Sequence, residues 1–167
     1  SSFGCCYTNI MEKDDYTLAE KRIKVSDGFE LYVQDWGNPH AKTPIIFLKG
    51  GPGGACKQRD KDGFDPARDR VIFFDQRGCG QSKPYGKLED NTTAHMIQDI
   101  TAIADHFGLQ KFALRGTSWG SCLALAYALE HPERVAALFV GGIFTASQKE
   151  IDWLDNGLFK TFYPEVW

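Results

Sequence analysis

The spacing of apolar and polar positions changes period several times along the chain. Two short β-prone runs, KRIKVS (21–26) and ELYVQDWG (30–37), flank the pair Asp27-Gly28, a pattern that predicts a hairpin. TPIIFLKGGPGGA (43–55) and DRVIFFDQRGCGQS (69–82) each read as a continuous apolar strand running into a glycine-rich loop. Between 91 and 109, Met96, Ile97, Ile100, Ile103, Ala104 and Phe107 recur at spacings of three and four, and Gly108 stops the pattern. That predicts an amphipathic helix, with Asn91 opening it because a short polar side chain accepts an unpaired backbone N–H there. KFALRG (111–116) is a short apolar strand, SCLALAYALEHPE (121–133) is apolar nearly all round, as in a core helix, and VAALFVGGIF (135–144) is another strand. After residue 145 the chain turns polar and aromatic, helix-like in its first half.

Continuous apolar strands alternating with helices predict an α/β fold with a doubly wound, mostly parallel sheet covered on both faces. In such sheets ligands sit at the carboxyl ends of strands, where the winding reverses. Both glycine loops fall at strand carboxyl ends, and so does Ser118 in Gly116-Thr117-Ser118-Trp119-Gly120. This matches G-x-S-x-G, in which small residues let strand and helix approach around a strained turn that lifts the serine hydroxyl above the sheet. Ser118 is therefore the candidate nucleophile. Its oxyanion donors would be the N–H of Trp119 and one from the GGPGG loop.

A serine needs a base, and the base needs a third group to orient it. In this architecture the order along the chain is serine, acid, histidine. Of the four histidines, His40, His95 and His106 precede Ser118; only His131 follows it. His131 lies at the far end of the buried helix, roughly 18 Å from its start at about 1.5 Å per residue, so it reads as a helix-end residue before Pro132.

The chain has 167 residues, 43% of them hydrophobic, and a net charge of -3, which suits one globular domain and argues against a nucleic-acid surface. No apolar run is long enough to span a membrane, and the N-terminal residues lack a signal-peptide pattern. An odd number of cysteines, five, suits a reducing compartment, so the cytoplasm is the expected location. The adjacent Cys5-Cys6 reads as an incidental tail. DKDGFD (60–65) echoes a calcium loop but carries Phe64 where an oxygen ligand belongs, and neither glycine loop completes a phosphate or dinucleotide motif. No metal and no cofactor are expected.

LKGGPGGACKQRD, DQRGCGQSKPYGKLEDNTT, RGTSWGSCLALAYALEHPERV and GGIFTASQKEIDW together resemble the proline iminopeptidases of the α/β-hydrolase fold, over residues 20–167. The resemblance implies an eight-stranded sheet, a helical cap inserted after the sixth strand, and serine-dependent removal of N-terminal proline from peptides. It implies Ser118 as nucleophile, the N–H groups of Gly51 and Trp119 as oxyanion hole, and Phe144 and Trp153 near the pocket for the proline ring. Asp75 and Arg77 read as scaffold for a buried loop. On this basis residues 1–20 form a tail, 21–145 the N-terminal part of the hydrolase core, and 146–167 the start of the cap.

Four departures stand out. Lys49 replaces the histidine of HGGPG, Thr117 replaces a glycine before the nucleophile, and Leu154 replaces an aromatic beside the proline pocket. The chain also stops before the last two strands, the rest of the cap, and the catalytic Asp and His, so the expected partner is the C-terminal remainder of the same protein, besides a peptide substrate with N-terminal proline. An esterase, amidase or lactonase on the same scaffold is the alternative function, and a catalytically silent fragment is a third.

Overall fold

A computed structural model describes residues 13–162. The Cys5-Cys6 pair lies outside the described residues, and β1 (Thr17–Lys24) already begins within the stretch expected to be tail. β1 and β2 (Glu30–Gly37) pair antiparallel through the predicted hairpin. Asp27 (φ 59°) and Gly28 (φ 76°) both take left-handed conformations, and Phe29 N–H donates to Ser26 O at 3.2 Å. These are the hallmarks of the mirror-image turn whose twist matches paired strands.

β3 (Ile45–Leu48), β4 (Arg70–Phe74), β5 (Phe112–Ser118) and β6 (Val135–Ile143) complete a six-stranded sheet of order β1-β2-β4-β3-β5-β6. The β4, β3, β5 and β6 neighbours are parallel, and β2 meets β4 antiparallel. From β3 the chain moves to β4 on one side, and β5 then starts on the other. The winding therefore reverses between β3 and β5, and the crevice for a ligand opens at their carboxyl ends, beside the GGPGG loop and Ser118.

Alternating side chains divide the sheet into two faces. On one, Ile46, Leu48, Ile72, Phe74 and Leu114 pack against α1 (Thr93–His106) and α2 (Trp119–Glu130) through Met96, Ile100, Ile103, Leu123 and Tyr127. On the other, Trp36, Phe47, Val71 and Phe73 meet Phe64, which follows the short turn Gln58–Gly63. The DKDGFD stretch is thus part of a tight helical turn whose end carries an aromatic anchor for the second face.

Three local expectations change. Thr92, not Asn91, caps α1: its hydroxyl accepts from His95 N–H, while the Asn91 amide donates to Arg77 O at 3.2 Å. α2 begins at Trp119, immediately after the serine, and ends at Glu130, because Pro132 opens a new turn and cannot continue the helix. α2 is also buried on one face only, with Leu129 84% exposed. Its outer face and the outer edge of β6 remain open among the described residues, Phe139 and Ile143 being 57% and 63% exposed. Beyond β6 come α3 (Gln148–Asp152), a wider π-type segment (Trp153–Leu158) and α4 (Phe159–Phe162).

Candidate active site

Ser118 sits where β5 becomes α2, with φ 56° and ψ -126°. A side chain held in such a sparsely populated region costs on the order of 1–3 kcal/mol and persists only where its surroundings enforce it. The enforcement is steric. A Cβ on Gly116 would lie 2.1 Å from Gly120 O, and one on Gly120 would lie 2.0 Å from Leu48 O. The glycines of the motif thus let the strand and helix close on the turn and let α2 press against the end of β3. Thr117, the larger residue at the position before the nucleophile, is accommodated exposed, with its side chain outside this contact.

The GGPGG loop passes directly over this turn. A Cβ on Gly50 would lie 3.3 Å from Ser118 Cβ and 3.9 Å from Ser118 Oγ, so backbone alone approaches the hydroxyl. Gly51 has φ 148°, and a Cβ there would strike Gly53 N at 2.8 Å. Trp119 is the first residue of α2, where a helix leaves its N–H groups unpaired. Gly50, one residue before Gly51, and Trp119 thus flank Ser118 from the end of β3 and from α2 respectively.

Gln76, which the sequence did not single out, staples the loop from below. Fully buried, it accepts from Gly53 N–H and donates to Lys49 O, both at 3.0 Å. Asp75 beside it accepts from Cys56 N–H (2.7 Å) and Gln81 N–H (2.8 Å), and Ser82 Oγ donates to Asp75 O at 2.7 Å. Burial first, and then the Asp75 charge, push the Cys56 thiol up to about 12. Arg77 makes two bonds to Asp99, at 2.6 and 2.7 Å, and another to Asp90 O, and its guanidinium lies over the Phe29 ring. Burial pushes the Asp99 carboxyl up, against the pull of Arg77. Asp75 and Arg77 accordingly hold the loop after β4 together from inside.

A second unforeseen residue is Ser121, buried in the first turn of α2. Its hydroxyl donates to Ser118 O at 2.6 Å and accepts from Phe144 N–H at 3.0 Å. It therefore joins the Ser118 turn to the end of β6, where Ile143 is already the register partner of Ser118. There Ile143, Phe144, Trp153 and Leu154, with Lys149 and Glu150, line a cavity of 630 Å³. Glu150 fixes the entry to α3 by accepting from Thr145 Oγ1 (2.5 Å) and Ser147 N–H (3.3 Å), and the Thr145 hydroxyl is the main cause of its lowered pKa. A second cavity, of 560 Å³, lies against the same loop between Pro52, Gly53, Cys79, Met96 and Trp119.

The histidines are placed elsewhere. His95 bonds to Thr92 at 2.8 Å, His106 rests on the Phe107 ring, and His131 lies 3.7 Å from Glu133 and closes the end of α2 by donating its backbone N–H to Tyr127 O. His40 N–H is held by Asn38. Asp27, Asp90 and His95 bring possible ligand atoms within 4.8 Å of one another. Arg77 and Lys87 already face the two carboxylates at 3.7 and 3.4 Å, so the cluster's charge is met by side chains.

A strained serine between a parallel strand and a helix, facing a glycine loop at the point where the winding reverses, defines a class of protein. The chain belongs to the alpha/beta hydrolase fold family, whose model matches residues 43–165. It is 43% identical over 145 residues to a proline iminopeptidase of Arabidopsis thaliana, covering 87% of this chain and 38% of that protein. It is 42% identical over 146 residues to the proline iminopeptidase of Neisseria gonorrhoeae, covering 87% and 47%. The chain thus spans less than half the length of these relatives. Among solved structures, a proline iminopeptidase of Mycobacterium smegmatis superposes with a TM-score of 0.63 at 26% identity, covering 72% of this chain and 42% of that one. An epoxide hydrolase from metagenomes of hot environments gives 0.63 at 32%, covering 74% and 42%.

Proposed function

We propose that this chain carries the nucleophile half of a serine peptidase that releases proline from the N-terminus of peptides. The observation that carries this reading is the Ser118 turn, with its left-handed backbone and the bare Gly50 backbone above its hydroxyl. The names of the 39–43% identical relatives supply the substrate class. A histidine base, oriented by an aspartate, comes from the C-terminal portion of the protein and removes the Ser118 proton as Oγ attacks the prolyl carbonyl carbon. The oxyanion of the tetrahedral intermediate is met by the N–H groups of Gly51 and Trp119, each donor contributing about 3 kcal/mol to the transition state. The imidazolium returns its proton to the departing peptide amine, and water then hydrolyses the prolyl ester on Ser118 by the reverse sequence.

Phe144 and Trp153 take the proline ring in the cavity at the end of β6, which places the scissile carbonyl beside the Ser118 turn. The three described cysteines are free thiols, which supports a cytoplasmic setting. No helix among the described residues is long and apolar enough to cross a membrane. Leu154, 40% exposed in the same cavity, favours a second reading, an acyl hydrolase with a wider acyl pocket.

The test is intact-mass spectrometry after exposure to a fluorophosphonate, with the chain alone and with the C-terminal portion present. One adduct on Ser118 that requires the C-terminal portion, and is lost in Ser118→Ala, is the expected result. Labelling elsewhere, or turnover that survives Ser118→Ala, sinks the serine reading. Faster turnover of simple acyl esters than of proline naphthylamide would favour the second one.

A further inference from the structure

We infer that Lys49 and Asp60 form a clamp that holds the oxyanion loop in its working shape, and that they are positioning residues for the reaction proposed above. The inference rests on that reading of Ser118 and Gly51. Lys49 is the last residue before the loop. Its ammonium donates to both carboxylate oxygens of Asp60, at 2.5 and 2.7 Å, and the two side chains are only 18% and 10% exposed. Asp60 is in turn fixed by Lys57 N–H at 2.8 Å and belongs to the turn Gln58–Gly63 that follows the loop. The pair therefore ties the residue entering the loop to the turn after it.

The stem of Lys49 works as well as its charge. A Cβ on Gly54 would lie 2.3 Å from Lys49 Cγ, so the far limb of the loop rests on this side chain. Gln76 holds Lys49 O and Gly53 N–H from the other side. The backbone from Gly50 to Gly54 is thus gripped at its start, its crest and its end, and a donor that must meet a developing oxyanion is useful only if its position is fixed beforehand. The side-chain bonds of Lys49 and Asp60 run to each other and to Lys57 N–H, and neither residue lines the cavity at Phe144. Their effect is confined to geometry.

The experiment uses the protein with its C-terminal portion present, and the variants Lys49→Met, Asp60→Asn and the pair of them. Lys49→Met keeps the stem and removes the charge; Asp60→Asn keeps the shape and the acceptor for Lys57 N–H, and carries the test if the first variant does not fold. The clamp predicts a loss of about 10-fold in kcat for proline naphthylamide in each single variant, an unchanged KM, and no further loss in the double variant. Amide exchange across 50–56 should accelerate by a similar factor. Rates within twofold of the parent in both single variants, losses that multiply in the double variant, or a rise in KM alone would overturn the clamp. Ser118→Ala separates the two claims: if it abolishes turnover while the clamp variants leave kcat intact, only the clamp fails. If turnover survives it, the serine reading fails and the clamp falls with it.

Discussion

Ser121→Ala is the perturbation whose size the geometry predicts most directly. The hydroxyl is fully buried and makes two bonds, to Ser118 O at 2.6 Å and from Phe144 N–H at 3.0 Å. Each such bond contributes about 1 kcal/mol net, and the part-buried Phe144 N–H left without its partner adds about 0.5 kcal/mol. Alanine is the better helix former inside α2 by about 0.5 kcal/mol, which offsets part of the loss. The expected destabilisation is about 2 kcal/mol, close to a 30-fold change in the unfolding constant. With a urea slope of about 2 kcal/mol per M, the midpoint should fall by about 1 M with the slope unchanged. Tryptophan fluorescence in urea reads it. The same variant frees the start of the aromatic pocket from the Ser118 turn, so fluorophosphonate labelling of Ser118 should slow as well. A midpoint shift under about 0.2 M, with labelling unaffected, would mean that water replaces the hydroxyl and that Ser121 does not couple the two parts of the site.

Three further outcomes follow from the same contacts. Gly120→Ala places a methyl group 2.0 Å from the backbone carbonyl of Leu48, which cannot swing away, and should cost about 3 kcal/mol or more in urea unfolding. The Glu150 carboxylate has a lowered pKa, so its stabilisation of the α3 entry is present above its unfolded value of about 4.3 and is lost as pH falls through the lower folded value. Acid titration of helical circular dichroism should show that loss in the parent and a flatter curve in Glu150→Gln, which keeps the capping bonds; parallel curves would refute it. Cys56, with its thiol near 12, carries on the order of one thiolate in ten thousand molecules at pH 8, so iodoacetamide should leave it unmodified until urea opens the core. Peptide mapping that finds Cys56 alkylated as fast as Cys79 would contradict the burial.

The elements that could be read in the sequence are those whose signal is local. The Asp27-Gly28 turn announces its left-handed pair, the spacing from Met96 to Phe107 announces α1, and G-x-S-x-G announces the strained serine because the close approach of Gly116 to Gly120, four residues apart, imposes it. The readings that missed were set by tertiary neighbours. Thr92 and Asn91 are equally good caps by type, and Arg77 O decided between them by engaging the Asn91 amide. Leu129 is apolar on an apolar helix, yet its exposure depends on what packs beside α2 and β6. Gln76 and Ser121 carried no motif, and Asp60 only the calcium-loop echo of DKDGFD, because each acts through a partner between 11 and 27 residues away.

That division also bears on what the described residues supply around Ser118. A turn and a loop that approach as bare backbone can be preorganised by glycines, by one glutamine and by one ion pair, all within the stretch from Lys49 to Phe144. A general base has a different requirement: it must reach the Ser118 hydroxyl from an independent direction with its own support, and the described histidines are held on other surfaces by Thr92, Asn38, Phe107 and Glu133. Among the described residues, the open edge of β6 offers one such direction. Ile143, the register partner of Ser118, and Phe139 on the same strand leave apolar surface along β6 from the Ser118 turn outward. An unpaired strand edge of this kind calls for further strands of the same sheet. The residues that would cover β6 are then the ones placed to present a base to Ser118, so burial of Phe139 and activation of the serine should appear together as the C-terminal portion docks.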